Sequence, residues 1–394
     1  MGQPVQKKLP GSSQASGTTQ NGSTATNGTA AATSPSVLEN FKGTFKGNGF
    51  NTIFRPNSEK TPTEFKPKLN PPEDNVLQLS LTEETQTFTK MNESIANRGF
   101  VTQPDIFLDG WNYTQSVIDV TTPSEGTPGI HFESGFWLSV PESGTPDLGA
   151  SLARMASIPH GTTINAQSFL PAVKTNGAPI IPKSPITPFV IGKTRLQPFP
   201  SQTAAKNGES RIPQDLTPFI KANTITQEMI DDPNSVLDLA NKGKEIINNT
   251  SFTVSTESAR PGTTSTKEAG GGTNNIGFLA GNDDNDGNAK AVKVTATYWV
   301  STVNAKLNLK PFKPTPAKPS QTFSPVPLHA NEVVPTFSVD FEIPTAKTVN
   351  VQYTQIQYSQ NVILNFGPLS WPHVSVATLV PVDVQELQPS ILRQ

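Results

Sequence analysis

Residues Gly129–Val140 read GIHFESGFWLSV, and polar and apolar side chains alternate from Ile130 to Glu133. Successive side chains of an extended strand point to opposite faces, so His131, Glu133 and Trp137 share one face and two phenylalanines share the other. A period of two residues is typical of a β-strand and does not suit a helix. This strand is the starting point for the predicted fold.

Stretches of the same kind lie on both sides of it. The short loop of residues 142–149 contains Gly and Pro and leads to residues 152–167, which predicts that the two stretches pair as antiparallel neighbours. A glycine-rich strand is predicted within Leu38–Pro56. Further strands are predicted at Val76–Phe88, Asp105–Val120, Leu152–Ile158, Thr162–Ser168, Pro188–Ile191, Ala291–Val303, Thr336–Ile343, Val349–Phe366 and Val374–Val384.

About ten strands separated by turn residues indicate an all-β protein, either a sandwich or an antiparallel up-and-down β-barrel. We favour the barrel because closure removes exposed strand edges and can enclose one ligand. Residues 1–37 are predicted to be a disordered low-complexity tail, and residues 38–394 a single barrel domain. An insertion at about residues 195–275 is predicted to hold one helix, roughly Pro233–Asn248.

The composition excludes several classes of protein. The 394 residues include 37 Pro, well above the usual share of about 5%, which argues against long helices. A net charge of −2 gives no footprint for nucleic acid or an anionic membrane, and the absence of Cys excludes thiol chemistry and iron–sulfur clusters. Without a long apolar run or a signal peptide, we expect a cytoplasmic protein with no membrane partner. The sequence leaves open whether the protein forms a homo-oligomer.

The histidine that stands out is His373, in the stretch LSWPHVSVATLVP, Leu369–Pro381. Strand geometry places it on the same face as Ser375 and Ala377, two small side chains against which a flat ligand can lie. A neutral imidazole is a good iron ligand, so one interpretation is an axial ligand to haem. The other is a buried histidine that packs on Trp371 and hydrogen-bonds a backbone carbonyl.

Three segments resemble, in the same order, segments of the nitrobindin-type haem proteins, which have a lipocalin-like or fatty-acid-binding-protein-like barrel. They are KGTFKGNGFNTIFRP (Lys42–Pro56), the pair GIHFESGFWLSVP and RMASIPHGTTINAQ (Gly129–Pro141 and Arg154–Gln167), and LSWPHVSVATLVP. The whole chain is also similar to longer bacterial and fungal proteins that are labelled only as haem-binding.

This resemblance implies a haem b cofactor, with His373 as the proximal iron ligand and His160 on the distal side. The residues expected to bind the cofactor are His373, Trp371, Ser375, Ala377 and His131. Arg154 shares strand parity with His160, and an Arg near a distal histidine can polarise the O–O bond of a peroxide. The alternatives are an Arg154 ion pair at the barrel surface and a polar network formed by His131 with Glu133.

Three functions remain open at this point. The favoured one is a haem-dependent oxidoreductase of the peroxidase or peroxygenase type, with His160 and Arg154 as catalytic residues and a small organic substrate. The second is a haem protein that binds diatomic gases or detoxifies nitrogen oxides such as peroxynitrite. The third is a haem-free lipid-binding or structural barrel. No P-loop, H-E-x-x-H motif or G-x-S-x-G elbow favours another chemistry.

The haem hypothesis predicts an asymmetry between two histidine variants. The protein supplied with haem should show a Soret band, and His373→Ala should lose it because the pocket has no replacement for the iron bond. His160→Ala should keep the band and change only the reaction with ligands or peroxide. An absorption spectrum without a Soret band in the wild-type protein, or an unchanged band in His373→Ala, contradicts this assignment.

Overall fold

A computed structural model of the chain describes residues 35–56, 75–144, 147–257, 271–274, 277, 281–282 and 288–393. Most of the predicted tail, residues 1–34, lies outside the described residues. The described chain begins with helix α1, Pro35–Leu38, and both Val37 and Leu38 are buried in the barrel core. The predicted tail therefore extends slightly too far, because residue 37 already belongs to the core.

Ten long antiparallel strands form the body of the molecule. They are β1 (Gly43–Pro56), β2 (Asn75–Lys90), β3 (Ile106–Asp119), β4 (Gly129–Val140), β5 (Ser151–Ser157), β6 (Thr163–Ser168), β7 (Glu245–Ser255), β8 (Asn288–Leu309), β9 (Lys347–Phe366) and β10 (Leu369–Pro381). Each strand pairs with the next one along the chain, and β10 pairs with β1, so the ring closes. The predicted up-and-down barrel and the predicted pairing of β4 with β5 are both confirmed.

The remaining elements are short. The helices after α1 are α2 (Thr217–Ala222), α3 (Gln227–Asp231) and α4 (Ser235–Asn241), and the 3₁₀ turns are Pro123–Glu125, Pro200–Gln202 and Pro389–Arg393. Minor strands lie at Ile95–Asn97, Ser143–Gly144, Asp147–Leu148, Val173–Asn176, Phe189–Val190, Arg211–Ile212, Gly272–Asn274, Gly281–Asn282, Gln321–Phe323, Phe337–Val339 and Gln385–Glu386. None of the helices in the described ranges is long and apolar enough to cross a membrane.

The predicted helix of residues 233–248 is wrong at its C-terminal end. Helix α4 ends at Asn241, Gly243 follows with a φ of +82°, and strand β7 begins at Glu245. A glycine in this left-handed conformation commonly ends a helix. The segment assigned to an insertion, about residues 195–275, therefore contains a barrel strand as well as the helices.

The barrel interior is apolar at one end. The ring of Phe41, just after α1, lies 4.9 Å from the ring of Phe88 and 5.7 Å from that of Trp137, measured between centroids. Tyr298 stacks on Phe252 at 5.4 Å in the same cluster. These aromatic side chains fill this half of the interior, which leaves the opposite half for polar groups.

Two further cores cover the outside of the barrel. Leu77 and Leu79 of β2 point outward and pack with Leu216, Ile230 and Leu237 from the helical segment. The second outer core joins β8 and β9 to the proline-rich connection and the short strands near it; its members include Val303, Leu307, Phe312, Phe323, Phe337 and Ile343. The part of the barrel wall formed by β8, β9, β10, β1 and β2 is therefore covered by protein on both its inner and its outer face.

The glycines of β1 permit its close approach to β10. A side chain at Gly47 would place its Cβ 1.8 Å from the carbonyl oxygen of Thr378, and one at Gly49 would lie 2.1 Å from that of Val376. No Cβ atom tolerates such distances, so glycine is required at both positions. The glycine-rich opening strand is thus explained by the tight contact that closes the barrel.

Candidate functional site

Arg154 of β5 lies in the barrel interior and is 1% exposed. Its Nη2 donates to Glu133 Oε1 at 2.6 Å, its Nη1 to Gln360 Oε1 at 2.7 Å, and its Nε to the hydroxyl of Tyr113 at 2.8 Å. The ring centroids of Tyr113, Trp137 and Tyr298 lie 5.7, 5.7 and 5.9 Å from the guanidinium carbon. The guanidinium is thus held by one carboxylate, two polar side chains and three aromatic rings.

Glu133 and Arg154 form a buried ion pair. Burial alone would raise the pKa of Glu133, but the charge of Arg154 overrides this and holds it at about 2. Burial would likewise lower the pKa of Arg154, and the carboxylate of Glu133 instead raises it. His131 Nε2 lies 3.2 Å from the second Glu133 oxygen. The polar network proposed for His131 and Glu133 is confirmed, and Arg154 pairs with a carboxylate inside the barrel instead of at its surface.

A pocket opens beside this network. Its empty space is about 320 Å³, a figure that includes solvent at its opening. The residues that line it, from six of the ten strands, are Phe50, Asn51, Thr82, Glu84, Gln115, Val117, His131, Tyr358, Gln360, Ser375 and Val376. Most of these side chains are polar, and Gln360 connects the pocket to Arg154. The pocket therefore occupies the polar half of the barrel.

Glu84 is the second carboxyl group of the interior and is 3% exposed. Its Oε1 accepts hydrogen bonds from Gln86 Nε2 at 2.5 Å and Gln115 Nε2 at 3.0 Å, and its Oε2 lies 2.6 Å from the Tyr358 hydroxyl. Burial raises the pKa of Glu84, although these hydrogen bonds oppose the shift. The two interior carboxyls thus have different environments, since within the described ranges Glu133 has a guanidinium partner and Glu84 has none.

Two of the histidines predicted as site residues, His131 and His160, lie next to each other. His160 follows the end of β5, in an exposed turn, and its ring centroid lies 5.0 Å from that of His131 with the two planes at 89°. The partial burial of the ring and the neighbouring His131 both lower the pKa of His160. Ser375 lines the pocket from β10. The structure therefore brings His131, His160, Arg154 and Ser375 to one region of the barrel.

His373 is placed differently from the haem expectation. Its Nε2 accepts a hydrogen bond from the backbone N–H of Phe54 at 3.1 Å, just beyond the point where pairing of β1 with β10 ends, at Thr52 and Val374. An accepted hydrogen bond uses the lone pair of the unprotonated nitrogen. Burial lowers the pKa of His373 to about 4. Of the two interpretations of His373, a buried histidine bonded to the backbone agrees better with this geometry than an iron ligand does. The backbone partner is an N–H group and not the expected carbonyl.

Trp371 and Ala377 do not line the pocket. Trp371 is 1% exposed, stacks on Phe366 with centroids 4.6 Å apart, and donates from Nε1 to the Phe366 carbonyl oxygen at 3.0 Å. Ala377 is fully buried in the apolar interior core. Both residues, predicted to bind a cofactor, are thus surrounded by protein.

The sequence analysis missed Glu84, Gln115, Tyr358 and Gln360. The alternation of strand faces could have identified two of them. Glu84 shares a strand face with the core residue Phe88, and Gln360 shares one with Tyr358. Across the described ranges, no group of three or more His, Cys, Asp or Glu side chains is arranged to hold a metal ion. Scans against family models, curated proteins and solved structures found no match to this chain.

The hydrogen bond at His373 predicts a specific dependence of stability on pH. The imidazole has a pKa of about 4 in the folded protein and about 6.5 when unfolded, so the unfolded chain binds the proton more readily. Stability should be unaffected by this group above pH of about 6.5 and should fall as the pH drops to about 4, by up to about 3 kcal/mol.

Urea unfolding of the wild-type protein and of His373→Gln between these two pH values measures the effect. Glutamine keeps an acceptor for the Phe54 amide but does not titrate, so the difference in unfolding free energy between the two proteins should shrink as the pH falls. A difference that stays constant with pH shows that His373 is not held neutral by its surroundings.

Proposed function

We propose that this protein binds a small polar molecule in the pocket beside His131. The observation that carries the proposal is that residues of the pocket wall present polar side-chain atoms that have no hydrogen-bond partner among the described residues. The amide nitrogen of Gln360 is one such group: its side chain is 5% exposed, its oxygen accepts from Arg154, and its nitrogen has no partner among the described residues. A polar atom that borders a pocket and has no protein partner is available to water or to a ligand.

Two neighbouring groups support the same conclusion. The hydroxyl of Thr82, a residue that is 3% exposed, and the amide nitrogen of Asn51 make no hydrogen bond within the described part of the chain. Both residues line the pocket. Three donors therefore face one small space, which suits a ligand that carries at least one acceptor oxygen.

The size and lining of the pocket argue against a lipid. An acyl chain needs a long apolar cavity, but the apolar half of the interior is filled by Phe41, Trp137, Tyr298 and their neighbours. The empty space of about 320 Å³ includes open solvent, and the cavity volume itself is only about 20 Å³, far below the range of about 300–1,000 Å³ for pockets that hold drug-sized ligands. A small, polar molecule is the better match.

Haem binding is a second candidate, favoured by the meeting of His131 and His160 at the rim, near the strand that carries His373. The residues as arranged do not fit a haem, because Nε2 of His373 is engaged by Phe54 and the pocket is small. A haem would require His373 to release its backbone partner. Haem-dependent oxidation therefore stays a prediction, tested by the absorption spectra described above.

The binding proposal can be tested with three probes of similar size and different charge: ethanolamine, ethylene glycol and glycolate. In ¹H–¹⁵N spectra of the wild-type protein, at least one of them should shift the amide resonances of Thr82, Gln115 and Ser375. Ser375→Leu fills the pocket and should abolish the shifts, since it adds bulk to a lining residue.

Ser134→Leu is the matched control because Ser134 is exposed on the outer face of β4. It makes the same chemical change and should leave the shifts intact. If none of the three probes moves the pocket resonances, or if Ser375→Leu binds as the wild-type protein does, the pocket is not a binding site.

A further inference from the structure

Glu84 is a buried acid without a cation. Its carboxylate lies in the pocket wall, and it forms no ion pair with any Lys, Arg or His among the described residues. Glu133, which is similarly buried, has Arg154 at 2.6 Å. Because burying an unpaired charge is costly, buried carboxylates are normally paired or neutralised. The carboxylate of Glu133 is thus paired with a guanidinium, whereas the carboxylate of Glu84 borders the pocket.

The hydrogen bonds around Glu84 favour its ionised form. The amide nitrogens of Gln86 and Gln115 both donate to Glu84 Oε1, and the hydroxyl of Tyr358 is a third donor, at Oε2. An ionised carboxylate has about four acceptor sites, so these three donors leave one site free. A ligand with a positively charged donor would complete the set.

The other groups near the pocket do not supply that charge. From β4, His131 faces Glu84 but is bound to Glu133, which itself carries a negative charge. From β9 comes the hydroxyl of Tyr358. The lining residues from β1 and β10, which are Phe50, Asn51, Ser375 and Val376, are all uncharged. Among the described residues, Glu84 is therefore the acid of the pocket wall that lacks a charged partner.

We propose that the ligand of this pocket is a small organic amine that carries an acceptor oxygen, with its ammonium group at Glu84. The opposite end of the ligand would accept hydrogen bonds from the free donors of Gln360, Thr82 and Asn51. This inference rests on the proposed function, since it assigns the ligand class of the same pocket. An amino alcohol is the simplest molecule with both features, which makes ethanolamine the probe.

The test compares the affinity of ethanolamine for the wild-type protein and for two charge variants, measured by titration of the pocket amide resonances. Glu84→Gln removes the carboxylate and should weaken binding by about tenfold or more, the usual effect of losing a hydrogen bond to a charged group. Glu83→Gln makes the same change at an exposed neighbour on the outer face of β2 and should leave the affinity unchanged.

The pH dependence gives a second measurement that needs no variant. Because the ammonium binds the ionised carboxylate, the affinity of the wild-type protein for ethanolamine should fall as the pH is lowered and Glu84 takes up a proton. An affinity independent of pH over the range in which the protein stays folded overturns the proposal. This measurement decides the question if Glu84→Gln does not fold.

The failures of the two proposals give different results. If ethylene glycol or glycolate shifts the pocket resonances and ethanolamine does not, the pocket binds ligands but the amine assignment is wrong. The same holds if Glu84→Gln and Glu83→Gln bind ethanolamine equally well. If none of the three probes binds, the proposed function itself fails and the amine assignment fails with it.

Discussion

The ion pair between Arg154 and Glu133 is the interaction on which the barrel interior depends. Both side chains are almost completely buried, so removing either one would leave an uncompensated charge inside the protein. The pair also divides the interior in two. On one side the guanidinium lies against the rings of Trp137 and Tyr298, and on the other it reaches the pocket through Gln360.

The pocket follows from this arrangement. Arg154 fixes the oxygen of Gln360, which leaves the amide nitrogen for the pocket, and Glu133 fixes one nitrogen of His131 at the rim. Glu84 lies in the same wall with three donors and, in the described part of the chain, no cation. A filled apolar half, a central ion pair and a polar half with an acid at the pocket are the features from which we propose recognition of a small charged ligand.

The fold was readable from sequence because strand periodicity is a local property. The alternation in Gly129–Val140 fixed the strand, its face and its neighbour β5, all of which the structure contains. Which face is inward was harder to predict. The leucines of β2 look like an inward face, but Leu77 and Leu79 point outward because the helical segment covers them. Glu84 and Gln86 on the other face occupy the interior, so the rule that apolar side chains mark the inside fails there.

The site was only partly predictable for a related reason. His131 and Glu133 share a strand face, so their contact follows from local geometry. The environment of His373 depends on where β1 and β10 stop pairing, and that is set by contacts 319 residues apart in the chain. The same applies to the contact of Arg154 with Gln360, which joins positions 206 residues apart. No local pattern carries such information.

A double-mutant cycle on the central ion pair tests the account most directly. Unfolding free energies are measured for the wild-type protein, Glu133→Gln, Arg154→Met and the double variant. Each single change should cost about 3–5 kcal/mol, because it leaves the opposite charge buried, and the double variant should cost clearly less than the two added together. Costs that add to within about 0.5 kcal/mol would show that the two residues act independently, and the interior would then not be organised around their pairing.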